Sequence, residues 1–180
     1  MAFTDLLRTT VLLTAGSATA LAAVTALAAN REDDTLTLLV AAGWWTIALI
    51  AGLILGRPAR AAEAMSPVLS GARTTSALPE TERPGQALAR LWPIGLFALV
   101  AGGLGFVFPG VSAIGTGFAL AAALAWRARE AAVTAIEDRD GVRFYVEPGS
   151  ALQPVKLVRS PGLRRDRPPP GHPPPPVPGA

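Results

Sequence analysis

The sequence predicts an all-α integral membrane protein. Four transmembrane helices are expected to form two antiparallel hairpins, followed by a small cytoplasmic β-hairpin-like segment and a disordered proline-rich C-terminal tail. Only 16% of the 180 residues are charged, against about 25% in soluble domains. Residues 9–30, 35–56 and 91–126 carry no charge, and about 20 apolar residues suffice to cross a bilayer. Nine prolines in the last 21 residues are typical of disordered chain.

The composition also limits the chemistry and the source. The chain has no cysteine, which excludes disulfides, thiolate metal sites and cysteine nucleophiles. Lys156 is the one lysine among 16 basic residues, and with abundant Ala, Gly and Pro this favours a GC-rich, bacterial source. The net charge of +3 does not indicate nucleic-acid binding, because basic residues of membrane proteins collect on cytoplasmic loops.

The N-terminal region predicts a short cytoplasmic segment (1–8) and a first span (9–29). The alternative is a cleaved signal peptide, since Ala26-Leu27-Ala28 fits a small-residue cleavage pattern. The apolar stretch is longer than a signal core, and Asp5 balances Arg8. A retained span is therefore favoured.

Four hydroxyl residues of the first span fall in one sector of the helix: Thr10, Thr14, Ser17 and Thr25. They are predicted to face a neighbouring helix and bond to it or to their own backbone. The alternative is a polar path through the membrane. The acidic loop 30–35 is predicted to be a short, solvated external turn, with Asn30 or Thr35 capping a helix end.

The second span (36–56) has a row of small residues, Ala48, Gly52 and Gly56, at four-residue spacing. Such a row lets another helix approach closely. Trp44 and Trp45 lie in the middle of this span, where we expect at least one to pack between helices with its indole N–H bonded. An aromatic wall for a ligand is the alternative.

Residues 57–90 form an Arg- and Pro-containing loop that is expected in the cytoplasm. Its first part is predicted to be a short surface helix with Met65, Val68 and Leu69 toward lipid. The repeated prolines argue against a folded catalytic domain in this loop.

The apolar block 91–126 is too long for one span and breaks at Pro109-Gly110. It predicts a third span (91–108), a tight external turn (109–110) and a fourth span (111–126). A re-entrant hairpin that dips into the membrane and returns is the alternative. Ala101 with Gly105, and Ala113 with Gly117, have the spacing of close helix packing.

The flanking residues predict the orientation. Trp92 and Trp126 beside Arg90 and Arg127 are typical of interfacial anchors. Most arginines around the spans fall on one side, and Arg31 falls on the other. Because Lys and Arg stay in the cytoplasm, the prediction is a multi-pass plasma-membrane protein with both termini cytoplasmic.

Residues 127–159 predict a cytoplasmic helix extension and a β-hairpin-like segment, because apolar and polar residues alternate after Gly141. A lone hairpin is marginal in water, so it is expected to lean on the bilayer, the 57–90 loop, another subunit or another protein. Glu137, Asp138 and Asp140 are interpreted as a solvated turn. The possible partner contacts are Val142, Phe144, Tyr145, Val146, Val155 and Leu157.

The remaining residues, 160–180, predict a disordered tail. Arg167, Pro170 and Pro173 match a pattern recognised by proline-binding grooves, but so proline-rich a segment contains such matches by chance.

No catalytic, cofactor-binding or metal-binding residue is predicted. The one histidine, His172, lies in the tail, and no carboxylate lies inside a predicted span. Catalysis needs such groups held in working positions, so the chain is not expected to be an enzyme.

The predicted function is a non-catalytic membrane anchor or assembly component that presents a cytoplasmic module to a partner. The alternative is a small transporter or channel subunit acting as an oligomer. The expected partners are the lipid bilayer, further copies of the chain or another membrane protein, and a cytoplasmic protein at the C-terminal segment. Nucleic acid is not expected.

Overall fold

The computed structural model describes residues 1–74, 85, 89–147 and 155–161. It is mostly helical, with a small sheet at one end. The main elements in chain order are α1 (Phe3–Arg31), α2 (Thr35–Leu55), α3 (Pro58–Ser70), β1 (Arg73–Thr74), α4 (Trp92–Gly105), α5 (Pro109–Asp140), β2 (Val142–Val146) and β3 (Leu157–Pro161).

Three of the described helices, α1, α2 and α5, are long and apolar enough to cross a membrane. The helix in the predicted third span is shorter. α4 has 14 residues, about 21 Å at 1.5 Å per residue, and Phe106–Phe108 continue the chain to the start of α5. Its length alone therefore falls short of a hydrocarbon core of roughly 30 Å.

α5 is the central helix and contacts α1, α2, α3 and α4. α1 and α2 contact each other much less than each contacts α5. Thr25 near the end of α1 bonds Ser112 near the start of α5, and Leu7 near the start of α1 shares a core with Val133 near the end of α5. The two helices are therefore antiparallel. The main packing is thus between the two predicted hairpins and not within the first one.

α4 runs beside α1 in the same direction. Leu91 and Ile94, at its start, share a groove with the first turns of α1. Phe106, just after its end, lies under the Arg31 guanidinium, 6.0 Å from the ring centre. Gly102 lies beside Leu21 and Gly105 beside Val24, so α4 itself runs along the central part of α1 and its flanking residues extend toward both ends.

The short turn between α1 and α2 is capped at Asp34. Its carboxylate accepts a hydrogen bond from the Thr37 N–H at 3.0 Å, and the Thr37 side chain also bonds it. These bonds lower the pKa of Asp34. The helix cap expected at Asn30 or Thr35 is Asp34 in the structure, since a carboxylate in this position satisfies a free N–H of the first turn.

The sheet has the order β1-β3-β2. β2 and β3 are antiparallel, with Tyr145 opposite Val158, and β1 adds a short parallel pair through Arg73 and Thr74. On the far side of β2, Ala2 forms a bridge with Tyr145. The Val146 N–H donates to the Met1 carbonyl at 3.1 Å. The residues before α1 thus cover the β2 edge.

An apolar core joins the sheet to the helices. Its buried members come from α1, α3, α5 and the strands: Phe3, Leu6, Leu7, Met65, Leu69, Val133, Val142, Phe144, Val146 and Leu157. We call this set the module core and the end of the molecule that holds it the sheet end. The opposite end, with the α1–α2 and α4–α5 connections, is the turn end.

Several boundaries differ from the expected ones. α5 continues to Asp140, where Gly141 takes a left-handed conformation (φ 63°) that ends the helix. β3 reaches Pro161, so the strand includes the first two residues of the predicted tail; the rest of that tail lies outside the described residues. Met65 and Leu69 of α3 face the module core, whereas they were predicted to face lipid. The neighbouring sheet offers them an apolar surface within the protein.

Candidate functional site

The contact between α2 and α5 is built on small residues. A Cβ added at Gly52 would lie 2.9 Å from Leu124 Cδ1 and 3.0 Å from the Ala121 backbone, and one at Gly56 3.3 Å from Ala128 Cβ. Ala48 is buried on the same face. The predicted row of small residues therefore lies where the backbone of α2 approaches α5.

The two mid-span tryptophans of α2 both bond to the backbone of α5. The indole N–H of Trp45 donates to the Ala113 carbonyl at 2.9 Å, and that of Trp44 to the Ile114 carbonyl at 3.3 Å. Trp44 also lies edge-on to Phe118. A Cβ at Gly117 would clash with the Trp44 indole nitrogen. Gly117 thus makes room for this ring.

A third close contact joins α4, α5 and α1 near the turn end. A Cβ at Gly105 would lie 2.5 Å from Ser112 Cβ and 3.1 Å from Val24 Cγ1. Ala101 is buried on the same face of α4, and its Cβ would lie 3.4 Å from a Cβ added at Gly115 of α5. Of the small residues predicted for the second hairpin, Ala101 and Gly105 lie at this contact, whereas Ala113 and Gly117 lie on the side of α5 that faces the tryptophans of α2.

The hydroxyl residues of α1 are buried and bond mainly to their own helix. Each of Thr10, Thr14, Ser17 and Thr25 donates to the carbonyl four residues earlier. Thr25 also bonds Ser112 Oγ at 2.9 Å, and Thr116 repeats the backbone pattern on α5 at 2.8 Å. The predicted contact with a neighbouring helix and with the backbone is the arrangement found here.

Glu137 is a buried acid that sequence reasoning placed in a solvated turn. Its side chain is 7% exposed, and its Oε1 accepts the Phe144 N–H at 2.9 Å. Burial raises the pKa of Glu137, while the bond from Phe144 and the nearby Arg143 act in the opposite direction. The carboxylate ties the start of β2 to the last turns of α5. Its position four residues after Val133, on the same helix face, was the available signal.

The predicted anchors lie at the sheet end in different surroundings. Trp92 is about half exposed and Arg127 is exposed. The guanidinium over the Trp126 ring, 4.6 Å from its centre, belongs to Arg129. The Arg90 Nη2 donates to the Glu147 carbonyl at 3.2 Å. Arg90 therefore links the start of α4 to the sheet.

The predicted partner contacts divide into two groups. The module core already buries Val142, Phe144, Val146 and Leu157. These four side chains contact the protein itself, because α1, α3 and α5 supply the apolar surface on which the strands lean. Of the predicted set, Tyr145 is half-buried and Val155 is 41% exposed.

A cleft lies between α1, α4 and α5 toward the sheet end. The helices are in tight contact at Gly105 but separate further along, where a space of about 310 Å³ lies against Thr14, Phe97, Phe118 and Trp126. Next to it, about 330 Å³ lies against Leu7, Met65 and Arg90, among others. Both spaces are bordered by Ile94 and Trp126.

No comparison supplies a relative. Neither the protein-family models, nor the curated proteins, nor the solved structures give a match to this chain. Among the described residues, no group of three or more His, Cys, Asp or Glu side chains is placed to hold a metal ion.

Proposed function

We propose that the protein is a membrane-anchored assembly component that holds a small cytoplasmic module in a fixed position at the bilayer surface. The observation that supports this most strongly is the module core. It combines the first turns of α1, one face of α3, the end of α5 and the strands. The module therefore shares its core with the membrane helices.

Membrane insertion through four crossings is part of the proposal. Three helices have sufficient length and hydropathy. For α4, the support is its position beside α1, from the level of Leu7 to that of Arg31. A short helix of this kind crosses when the bilayer thins locally or its flanking residues complete the path.

The orientation rests on the distribution of arginines. Arg57, Arg60, Arg73 and Arg127 belong to the sheet end, and Arg31 is at the turn end. Because basic residues remain in the cytoplasm, the sheet end is cytoplasmic in this proposal. The acidic turn around Asp33 then faces outward.

Cysteine labelling tests the topology, since the chain has no native thiol. Single cysteines at Arg143 and at Asp33 are treated in intact cells with a membrane-impermeant maleimide. We expect labelling at position 33 and protection at position 143 until the cells are opened. Labelling of position 143 in intact cells would reverse the orientation.

Site-specific photo-crosslinking tests the role. A photoreactive residue at Arg143 or Arg159, both exposed on the strands, is expected to give one defined protein adduct. The same residue at Thr19, exposed on the apolar part of α1, serves as the control. Adducts to no protein at 143 and 159, combined with solute flux through liposomes containing the purified protein, would favour the transporter or channel alternative.

A further inference from the structure

Three spaces on the protein surface adjoin one another in a row. The first, between α1, α4 and α5, and the second, beside the start of α1, share Ile94 and Trp126. The second and a third, beside the sheet, share Val68 and Val155. The third has a volume of about 360 Å³. We call the whole the lateral groove.

The chemistry of the lateral groove changes along its length. Its inner part is lined by Ile94, Phe97, Phe118 and Trp126. The hydroxyls of Thr14 and Ser17 in this part donate to backbone carbonyls, so they present mainly their apolar sides. The inner part is therefore suited to a hydrocarbon chain.

The outer part, at the sheet end, carries the charges. Arg73, Lys156 and Glu147 line the third space, and Arg90 lines the second. Among the described residues that line these two spaces, three side chains are cationic and one is a carboxylate. The Glu147 backbone carbonyl is already engaged by Arg90, which holds that cation beside the passage between the two parts.

From this arrangement we infer that the lateral groove binds one anionic phospholipid, with its phosphate-containing headgroup at Arg73 and Lys156 and an acyl chain along Ile94, Phe97 and Trp126. The inference rests on the proposed membrane insertion and adds a specific ligand to it. Basic side chains at the membrane surface attract anionic lipids, so the two cations select the headgroup. The acyl chain moves from one apolar environment to another, so the inner part of the groove positions this chain.

Native mass spectrometry of the full-length protein in mild detergent tests the site. Dioleoyl phosphatidylglycerol and dioleoyl phosphatidylcholine are titrated separately, and the affinity for the first bound molecule is compared. We expect phosphatidylglycerol to bind more tightly. The double variant Arg73→Gln/Lys156→Gln should lose roughly ten- to thirty-fold of that affinity and bind phosphatidylcholine as before. Equal binding of the two lipids by the unaltered protein would overturn the headgroup assignment.

One variant in the groove and two control variants outside it locate the contact. Arg57→Gln/Arg60→Gln removes the same charge from exposed positions at the same end and should leave the preference intact. Ala122→Phe fills the inner part, because Ala122 lines it, and should lower the affinity for both lipids. Ala20→Phe, at an exposed position of α1, should lower the affinity for neither. If Arg57→Gln/Arg60→Gln lowers the affinity for phosphatidylglycerol as much as Arg73→Gln/Lys156→Gln does, the attraction is a general surface effect and the proposed site is refuted.

Two further measurements distinguish a failure of the lipid-binding inference from a failure of the proposed membrane insertion. If 10 mM inorganic phosphate displaces phosphatidylglycerol, the headgroup alone is recognised and the acyl-chain part of the inference fails. If alkaline carbonate releases the protein from membranes without detergent, membrane insertion itself fails. If the protein stays in the membrane but binds the two lipids equally, specific lipid binding in the lateral groove is refuted and membrane insertion is not.

Discussion

The two halves of α5 differ in the kind of side chain that they bury most completely. In the apolar half, Pro109–Trp126, the side chains buried almost completely are the hydroxyls Ser112 and Thr116. In the charged half, Arg127–Asp140, the corresponding residue is Val133, which lies in the module core. The exposed surface is inverted as well, with Ile114 and Phe118 outside in the first half and Arg127, Asp138 and Arg139 outside in the second.

The difference follows from the solvent proposed for each half. Water drives apolar side chains together, so the charged half collects a core of large residues. Lipid is as apolar as leucine and supplies no such force. The apolar half is held instead by close backbone approach at glycines and by hydrogen bonds, such as those of Trp45 and Thr25. One helix therefore follows two packing rules.

The largest loss of stability is expected for a substitution in the module core. Phe144→Ala removes a ring that is 3% exposed, and such truncations in water-driven cores cost about 3–5 kcal/mol. We expect the sheet end to lose its resistance to limited proteolysis while α2 stays folded. Val155→Ala, at an exposed position, is the control. An equal loss in both variants would show that the strands have no specific core.

Overpacking of the apolar half is expected to cost less. Gly117→Ala places a methyl group against the Trp44 indole, which must shift and weaken its bond to Ile114. Inserted methyl groups typically cost about 1–3 kcal/mol. The thermal midpoint in detergent should fall for Gly117→Ala and stay unchanged for Gly103→Ala, where the structure leaves open space. A larger loss at position 103 would contradict the α2–α5 contact.

Removal of a hydrogen bond from the apolar half should have a smaller effect. Thr25→Val keeps the shape of a fully buried side chain but deletes the bonds to Leu21 and Ser112. Bonds of this kind in membranes average about 0.6 kcal/mol. Thr19→Val, exposed and bonded only to its own helix, is the matched control. In unfolding titrations with a denaturing detergent, Thr25→Val should unfold at a lower detergent fraction than Thr19→Val. Identical unfolding curves for the two variants would show that the Thr25 bond to Ser112 does not stabilise the protein.

The smallest expected effect is a dependence of stability on pH. The pKa of Glu137 is raised in the folded protein, so the folded state holds this proton more tightly than the unfolded state. Stability should therefore fall as the pH rises from 4.5, the ordinary pKa of a glutamate, through the raised pKa of Glu137, and level off above it. Glu137→Gln keeps an acceptor for the Phe144 N–H and should flatten this slope. If stability depends on pH equally in Glu137→Gln and in the unaltered protein, another titrating group causes the dependence.

Local patterns predicted the elements well. The charge-free stretches located both ends of α2 and the end of α1 to within two residues, because hydrocarbon thickness sets the length of an apolar helix. α1 begins six residues before its predicted span, at Phe3. The alternation after Gly141 located β2 for a similar reason, since successive side chains of a strand alternate between faces. The helix-packing glycines lie at contacts because small residues are what close approach requires.

Relations between distant elements were not predictable from the same patterns. Hydropathy says nothing about which apolar helix lies in the centre, so the role of α5 was missed. Arg73–Thr74 and Met1–Ala2 are too short to show a strand period, although both extend the sheet. Glu137 was assigned to a solvated turn because it stands beside Asp138 and Asp140 in the sequence. These two neighbours are exposed, but the packing of β2 against α5 buries Glu137.

The bridge between Ala2 and Tyr145 has a consequence for the order of synthesis. The ribosome makes Ala2 before α1, α2, α4 and α5 and makes Tyr145 after them, so this edge of the sheet has to wait for its partner. During that interval Phe3, Leu6 and Leu7 have no module core to enter. Translation past β2 is therefore the step at which the nascent chain can first close, and an interruption before it would leave these side chains open to chaperones or proteases.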